Sequence, residues 1–449
     1  MKFWEFIISA MAVVALLPTS CPAADAKQEP FADFGFLPDP DDLPARYKGQ
    51  IFRLSQDYPA ARPAPDDKAA KILRHDLDWI KANWKSYMME VRDYCFEGNV
   101  ENDWRVERNS VRKWYHIPWQ HYGPNGREGL HGLTKEAPVQ LKQLAATQTY
   151  TGGQTYAVAI YNDLAGYTIG QVWKDHSHPS LERMPEGGFP DGSVVCKPLL
   201  VDVPVEQVPS LDPPFQWDAY ITDDFGTTQR NFHKVSLIQM DIMVKDSKIP
   251  SHWFLGTFQY NGKMGNRNRW NNLVPVGLMF GNDPNVAGDA NTNPQPTATK
   301  INPELKESLI NPDANELPPT HLGWNGRLNG PVDNPRSSCM SCHMTGEYPR
   351  VTQMSPLFYP PPTFAPGSKQ WMRWFQTLDG TKAFDDGKSD DYKDCSGKLV
   401  QDKVRPTDFS LQLEISVDNF EDWMDSGAGK CAGSYHMKRL KAVRDLVRE

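Results

Sequence analysis

His233-Lys234-Val235-Ser236-Leu237-Ile238-Gln239-Met240-Asp241-Ile242-Met243-Val244-Lys245 decides the fold class. On an extended chain successive side chains alternate, so Ile238, Met240, Ile242 and Val244 share one face and Gln239 and Asp241 the other. Comparable runs occupy 154–162, 167–174, 193–202, 253–260 and 273–280. Asp191-Gly192 and Asn261-Gly262 supply turn chemistry between them. The pattern predicts a mostly antiparallel sheet from about Thr149 to Gly281. Before it, Pro65 and the helical spacing of Ala70, Leu73, Leu77, Ile80, Trp84, Met88, Val91 and Tyr94 predict one helix over 66–94. After it come Pro-rich coil and short helices near 370–378 and 435–448. The expected fold class is α+β: a mostly antiparallel β-sheet core, an N-terminal helix, short peripheral C-terminal helices and many loops. Four segments follow: 1–26, 27–148 (helical and irregular), 149–349 (the sheet domain) and 350–449 (a C-terminal extension).

The first segment reads as an export signal. Lys2 precedes an uncharged apolar run from Phe6 through Leu17, and Ala24-Asp25-Ala26 offers a cleavage site. Cys21 offers an alternative, lipid attachment, although Pro18 stands where such signals carry Leu. No other run is apolar and long enough to span a bilayer, so the mature chain is expected in the periplasm. Formal charge is −8 and pI about 5.8, which argues against nucleic acid and suits a basic redox partner protein. The 38 Pro and 32 Gly favour turns over helical bundles. Fourteen Trp point to core filling or to the walls of an apolar cavity.

Cys339-Met340-Ser341-Cys342-His343 carries the chemistry. It is C-x-x-C-H, the attachment signal of a c-type haem. Two thiols three positions apart reach the two vinyl groups of one haem, and the next imidazole falls beneath the iron as proximal ligand. Zinc would need a second ligand pair, and the seven cysteines contain no second C-x-x-C. One covalent haem c is expected, held by Cys339, Cys342 and His343. Setting Cys21 aside, Cys95, Cys196, Cys395 and Cys431 remain for one or two disulfides. Cys395–Cys431, both in Gly/Asp/Lys-rich tail sequence, is the preferred pair. Cys196 has a second reading as a small buried hydrophobe within a strand.

The approach to the motif, Leu328-Asn329-Gly330-Pro331-Val332-Asp333-Asn334-Pro335, forbids the helix that leads into C-x-x-C-H in small helical cytochromes. Met424 and Met437 are candidate sixth ligands on that rejected pattern. Instead, Phe189-Pro190-Asp191-Gly192 with Lys197, then Asp241 to Lys245, then Trp253 to Phe258 and the haem motif, resemble in order the cytochrome P460 and beta-type cytochrome c-prime group. The resemblance spans roughly residues 155–345. It implies an antiparallel sheet bearing the haem, with a lysine near it and an open distal face for small nitrogen compounds or gases. Lys197 and Lys245 match the strand-lysine pattern; the other reading of each is a solvated strand lysine. Trp114 to Trp119, Gly123 to Glu128 with His131-Gly132-Leu133, and Gly323 to Pro331 resemble segments of exported bacterial monohaem c-type cytochromes, which bring no known reaction.

Distal-side candidates are His116, His121 and His131, in a segment dense in aromatics and imidazoles, with Arg127 and Glu128 for a propionate or proton transfer. The alternative is a loop whose aromatics pack. His176 and His178 in a polar turn read as surface before metal, and Met344 as packing. The functional expectation is a periplasmic monohaem c-type cytochrome passing single electrons to a partner protein. The alternatives are a haem enzyme of the P460 kind, oxidising a small nitrogenous or peroxide substrate, and a gas-binding protein.

Overall fold

A computed structural model describes residues 44–49, 52, 55–120, 133–222, 230–288, 301–313, 317, 322–350, 352, 354–355, 364–384 and 404–428, with side chains of the last helix only to Glu421. Helices α1 (Asp67–Ile72), α2 (Leu77–Ala82) and α3 (Trp84–Phe96) precede strands β1 (Thr134–Pro138), β2 (Gln154–Ala157) and β3 (Ile160–Tyr161). Helix α4 (Asp163–Val172) is followed by β4 (Val194–Val201), β5 (Gln216–Thr222), β6 (Arg230–Lys245), β7 (Trp253–Tyr260), β8 (Leu273–Met279) and β9 (Ser308–Ile310). The chain continues through α5 (Cys339–His343), β10 (Glu347–Tyr348), β11 (Arg405–Pro406) and α6 (Leu411–Ala428).

Nine strands form one antiparallel sheet, ordered β1-β2-β4-β6-β7-β8-β9, with β3 also on β4 and β5 also on β6. The class is α+β with an antiparallel core. Strand β6 alternates as its sequence dictates. Ile238, Met240, Ile242 and Val244 join α1–α3 in one apolar core. Met243 joins a second core, with α4, Trp253, Leu255 and the C-terminal Phe409, Leu413 and Phe420. Both faces of the sheet are covered, so a site can sit inside the molecule against it.

Three of the expected elements differ in the structure. The helix expected over 66–94 is three helices. Asp66 caps α1 at Ala69 N (2.7 Å) and Asp76 caps α2 at Trp79 N (2.8 Å), while Asn83 leaves helical geometry at φ −128°. The strand expected over 167–174 is the end of α4. Its buried Leu164, Ala165, Thr168, Ile169 and Val172 follow helical spacing, and Asn162 caps it at Ala165 N, 3.1 Å. Gly166 and Gly170 let it approach Tyr115 and Tyr58 closely; a Cβ would stand 2.7 Å from the Tyr115 ring and 2.5 Å from the Tyr58 Cβ. The expected strand over 154–162 is interrupted between β2 and β3.

Cys95 on α3 and Cys196 on β4 form a disulfide closing 101 residues. Cys196 is therefore no lone buried thiol, and the bond is consistent with an oxidising, extracytoplasmic compartment. Cys395 and Cys431 lie outside the described residues. Among the described residues no helix is long and apolar enough to cross a membrane.

Candidate functional site

The motif occupies a single capped helical turn. Ser338, extended at φ −137°, accepts Ser341 N–H at 3.0 Å and donates its hydroxyl to Asn282 Oδ1 at 2.8 Å. Asn282 Nδ2 reaches Ser341 Oγ and the Trp374 carbonyl, at 3.1 and 3.0 Å. Arg327 is buried and donates to the carbonyls of Asn282, Asp283 and Val286 at 2.7–2.8 Å. The Gly323 to Pro331 segment thus clamps the loop that holds α5.

Cys339, Cys342 and His343 open together into a cavity enclosing about 1410 Å³ of atom-free space, part of it continuous with solvent. Its apolar wall includes Phe189, Val195, Trp253, Leu255, Phe409 and Ile415. Neither Cys339 nor Cys342 is disulfide-bonded. His343 Nδ1 lies 2.8 Å from the Phe409 carbonyl. A carbonyl only accepts, so Nδ1 carries the hydrogen and the lone pair is on Nε2. Burial, the main cause, lowers the His343 pKa to about 4, which keeps the imidazole neutral as a ligand must be. Burial pushes the Cys339 thiol well up, reinforced by Asp333 and Asp241. Two thiols and one oriented imidazole on one turn, facing an apolar wall, fit a covalently held haem.

The opposite wall is polar. Gln239 Nε2 donates to both oxygens of Asp241 at 2.9 Å and to Asp333 Oδ2 at 3.1 Å. Thr257 Oγ1 donates to Asp241 at 2.9 Å and lies 3.8 Å from Cys339 Sγ. Lys197 pairs with Glu136 at 3.0 Å. Burial opposes the Lys197 charge, but Glu136, Asp241 and Asp333 outweigh it and raise its pKa. Burial and then Asp333 push Asp241 up to about 7, against Lys197; burial also raises Asp333. Gly330 packs on this network so closely that a Cβ would meet the Gln239 amide at 2.1 Å.

Of the sequence candidates, Cys339, Cys342, His343 and Lys197 converge on the cavity. Lys245 stands behind its wall, buried and 2.7 Å from Asp408. Lys245 is therefore not a solvated strand lysine, while the Lys197 side chain is 25% exposed. His116 is buried but is not a lining residue; burial lowers its pKa to about 4 against a hydrogen bond with the Ala159 backbone. His121, His131, Arg127, Glu128 and Met437 lie outside the described residues, and Met424 is described only as helical backbone. His178, exposed, sits 3.4 Å from Asp175. No group of three or more potential metal-ligating side chains occurs among the described residues. Met344 is core. Only Trp253 of the described tryptophans lines the cavity; the others fill cores, except Trp79 and Trp84, which are half-buried against one.

Sequence reasoning did not single out Glu136, Asp333, Met354, Asp408 or Phe409, which also line the cavity. Asp241 had a signal, a carboxylate on the polar face of a strand; Asp408, in a loop far along the chain, had none. No protein-family model, curated protein or solved structure matches the chain.

Proposed function

We propose that this chain is an exported, periplasmic, single-haem c-type protein whose haem exchanges one electron at a time with a partner protein. One observation carries the reading. Cys339, Cys342 and His343 share a capped helical turn opening into an internal cavity, with Nδ1 already engaged and Nε2 left to ligate iron. When bound, the haem supplies one-electron redox chemistry. The chain supplies attachment, an apolar wall on one side of the cavity, and a fixed imidazole. The acidic net charge, −8, would steer a basic partner by a salt-sensitive encounter. Cys95–Cys196 and the N-terminal apolar run agree with export.

A second reading, oxidation of a small nitrogenous substrate, draws on the polar wall and on the resemblance to the P460 group. Asp241, with its pKa near neutrality, is placed to hold or release a proton at the cavity, and Lys197 to orient an anionic or polar ligand.

The test is the optical spectrum of the exported protein, oxidised and reduced, with and without carbon monoxide. A low-spin spectrum indifferent to the gas supports electron transfer. A high-spin spectrum that shifts with the gas means an open iron and favours the second reading or gas binding. His343→Ala should abolish the normal iron ligation under both, and an unchanged spectrum in that variant would sink the haem assignment.

A further inference from the structure

The proximal imidazole is held by a part of the chain that the sheet does not contain. The carbonyl at His343 Nδ1 belongs to Phe409, between β11 and α6. Asp408 and Phe409 are both left-handed, φ 49° and 65°, a conformation non-glycine residues keep only where the surroundings enforce it. Those surroundings converge on the Asp408 carboxylate. Each of its oxygens lies 2.7 Å from Lys245 Nζ. Oδ1 also accepts Trp253 Nε1–H at 2.8 Å, and Oδ2 the Phe189 N–H at 2.7 Å. Lys245 and Trp253 are cross-strand partners at the ends of β6 and β7, so the anchor is the rigid sheet itself. Both partners are almost fully buried, 2% and 1% exposed. Next to the pair, Thr407 N–H donates to the Gly346 carbonyl at 2.9 Å, and Thr407 Oγ1 to the Ser410 carbonyl at 2.9 Å.

We infer that Asp408 and Lys245 are a positioning pair for the proximal ligand. They pin the C-terminal segment to the sheet so that the Phe409 carbonyl receives the Nδ1 hydrogen and turns Nε2 to the iron. A hydrogen bond at Nδ1 makes the imidazole a stronger donor, which favours ferric over ferrous iron. The pair therefore holds the midpoint potential down. This rests on the haem reading above and adds to it a role for the C-terminal extension.

The experiment is a spectroelectrochemical titration of the full-length, haem-bearing protein at fixed pH. The double variant Asp408→Asn/Lys245→Met removes both buried charges together and leaves neither uncompensated. Supporting groups around a metal ligand are worth about tenfold or more. A tenfold loss of ferric preference is a rise of about 59 mV for a one-electron couple, expected together with altered ferric electron-paramagnetic-resonance g values. Glu414→Gln, which breaks a different buried ion pair (with Arg350), should leave the potential where it is. Where the double variant does not accumulate, Lys245→Arg, which reshapes the pair without removing it, is expected to give a smaller rise. An unchanged midpoint in the haem-bearing variant, or an equal rise in Glu414→Gln, overturns the positioning role. Wild-type protein without thioether-bound haem overturns the haem reading instead, before any variant is compared.

Discussion

Asp241 shows how one residue serves both the sheet and the site. On β6 it faces away from the apolar core, beside the cavity, where burial and Asp333 raise its pKa to about 7. A carboxyl with an ordinary pKa near 4 when unfolded and about 7 when folded binds more protons in the folded state between those values. Its stabilising share is therefore complete below about pH 4 and is lost as pH rises through about 7. Melting temperature should fall between about pH 4 and 7, and Asp241→Asn should flatten that slope by about one proton's worth in a pH-dependent calorimetric series. An unchanged slope would place the titration elsewhere. At this scale the sequence was informative only where chemistry is bound to spacing. Cys339, Cys342 and His343 are legible because the thioether attachment proposed for them demands that spacing. Asp408 and Phe409 are not, because their contacts join positions 155 to 219 residues apart, or 66 residues from His343. No local pattern encodes such a meeting.

Among elements, strands β4, β6, β7 and β8 fall where the sequence places them. The failures have physical causes. Over 163–172, small and β-branched residues suit either period, and the capping Asn162 decides for helix. Strand β5 carries a real alternation, with Trp217, Ala219 and Ile221 buried, but it begins just after Pro213-Pro214 and is short. The covalent tie from α3 to β4 is another element-scale device. Closing a loop of about 100 residues is worth roughly 4–5 kcal/mol in the chain-entropy view. Cys95→Ala/Cys196→Ala should lose about that much in denaturant unfolding, and added reductant should lower the wild type to match. A loss under ~1 kcal/mol would show that residual structure already restrains the unfolded chain without the bond.

At the scale of the whole molecule, the cavity is assembled from three of the four segments that the sequence distinguishes. Gln120 and Glu136 come from segment 27–148, Lys197 to His343 from the sheet domain, and Asp408 to Ile415 from the extension. The extension also buries Phe409, Leu413, Ile415, Val417 and Phe420, each at most 8% exposed. At about 1.5–3 kcal/mol for each large apolar side chain, the five amount to roughly 7–15 kcal/mol, as much as the total stability of a typical domain. A chain ending at residue 403 therefore loses the strap on His343 and the apolar cover of one sheet face together. It should show no cooperative thermal transition and should be cut by protease under conditions that leave the full-length protein intact. A truncated chain that melted cooperatively and carried haem with the full-length spectrum would instead make 149–349 a self-sufficient haem domain, and would reduce the C-terminal extension to an appendage.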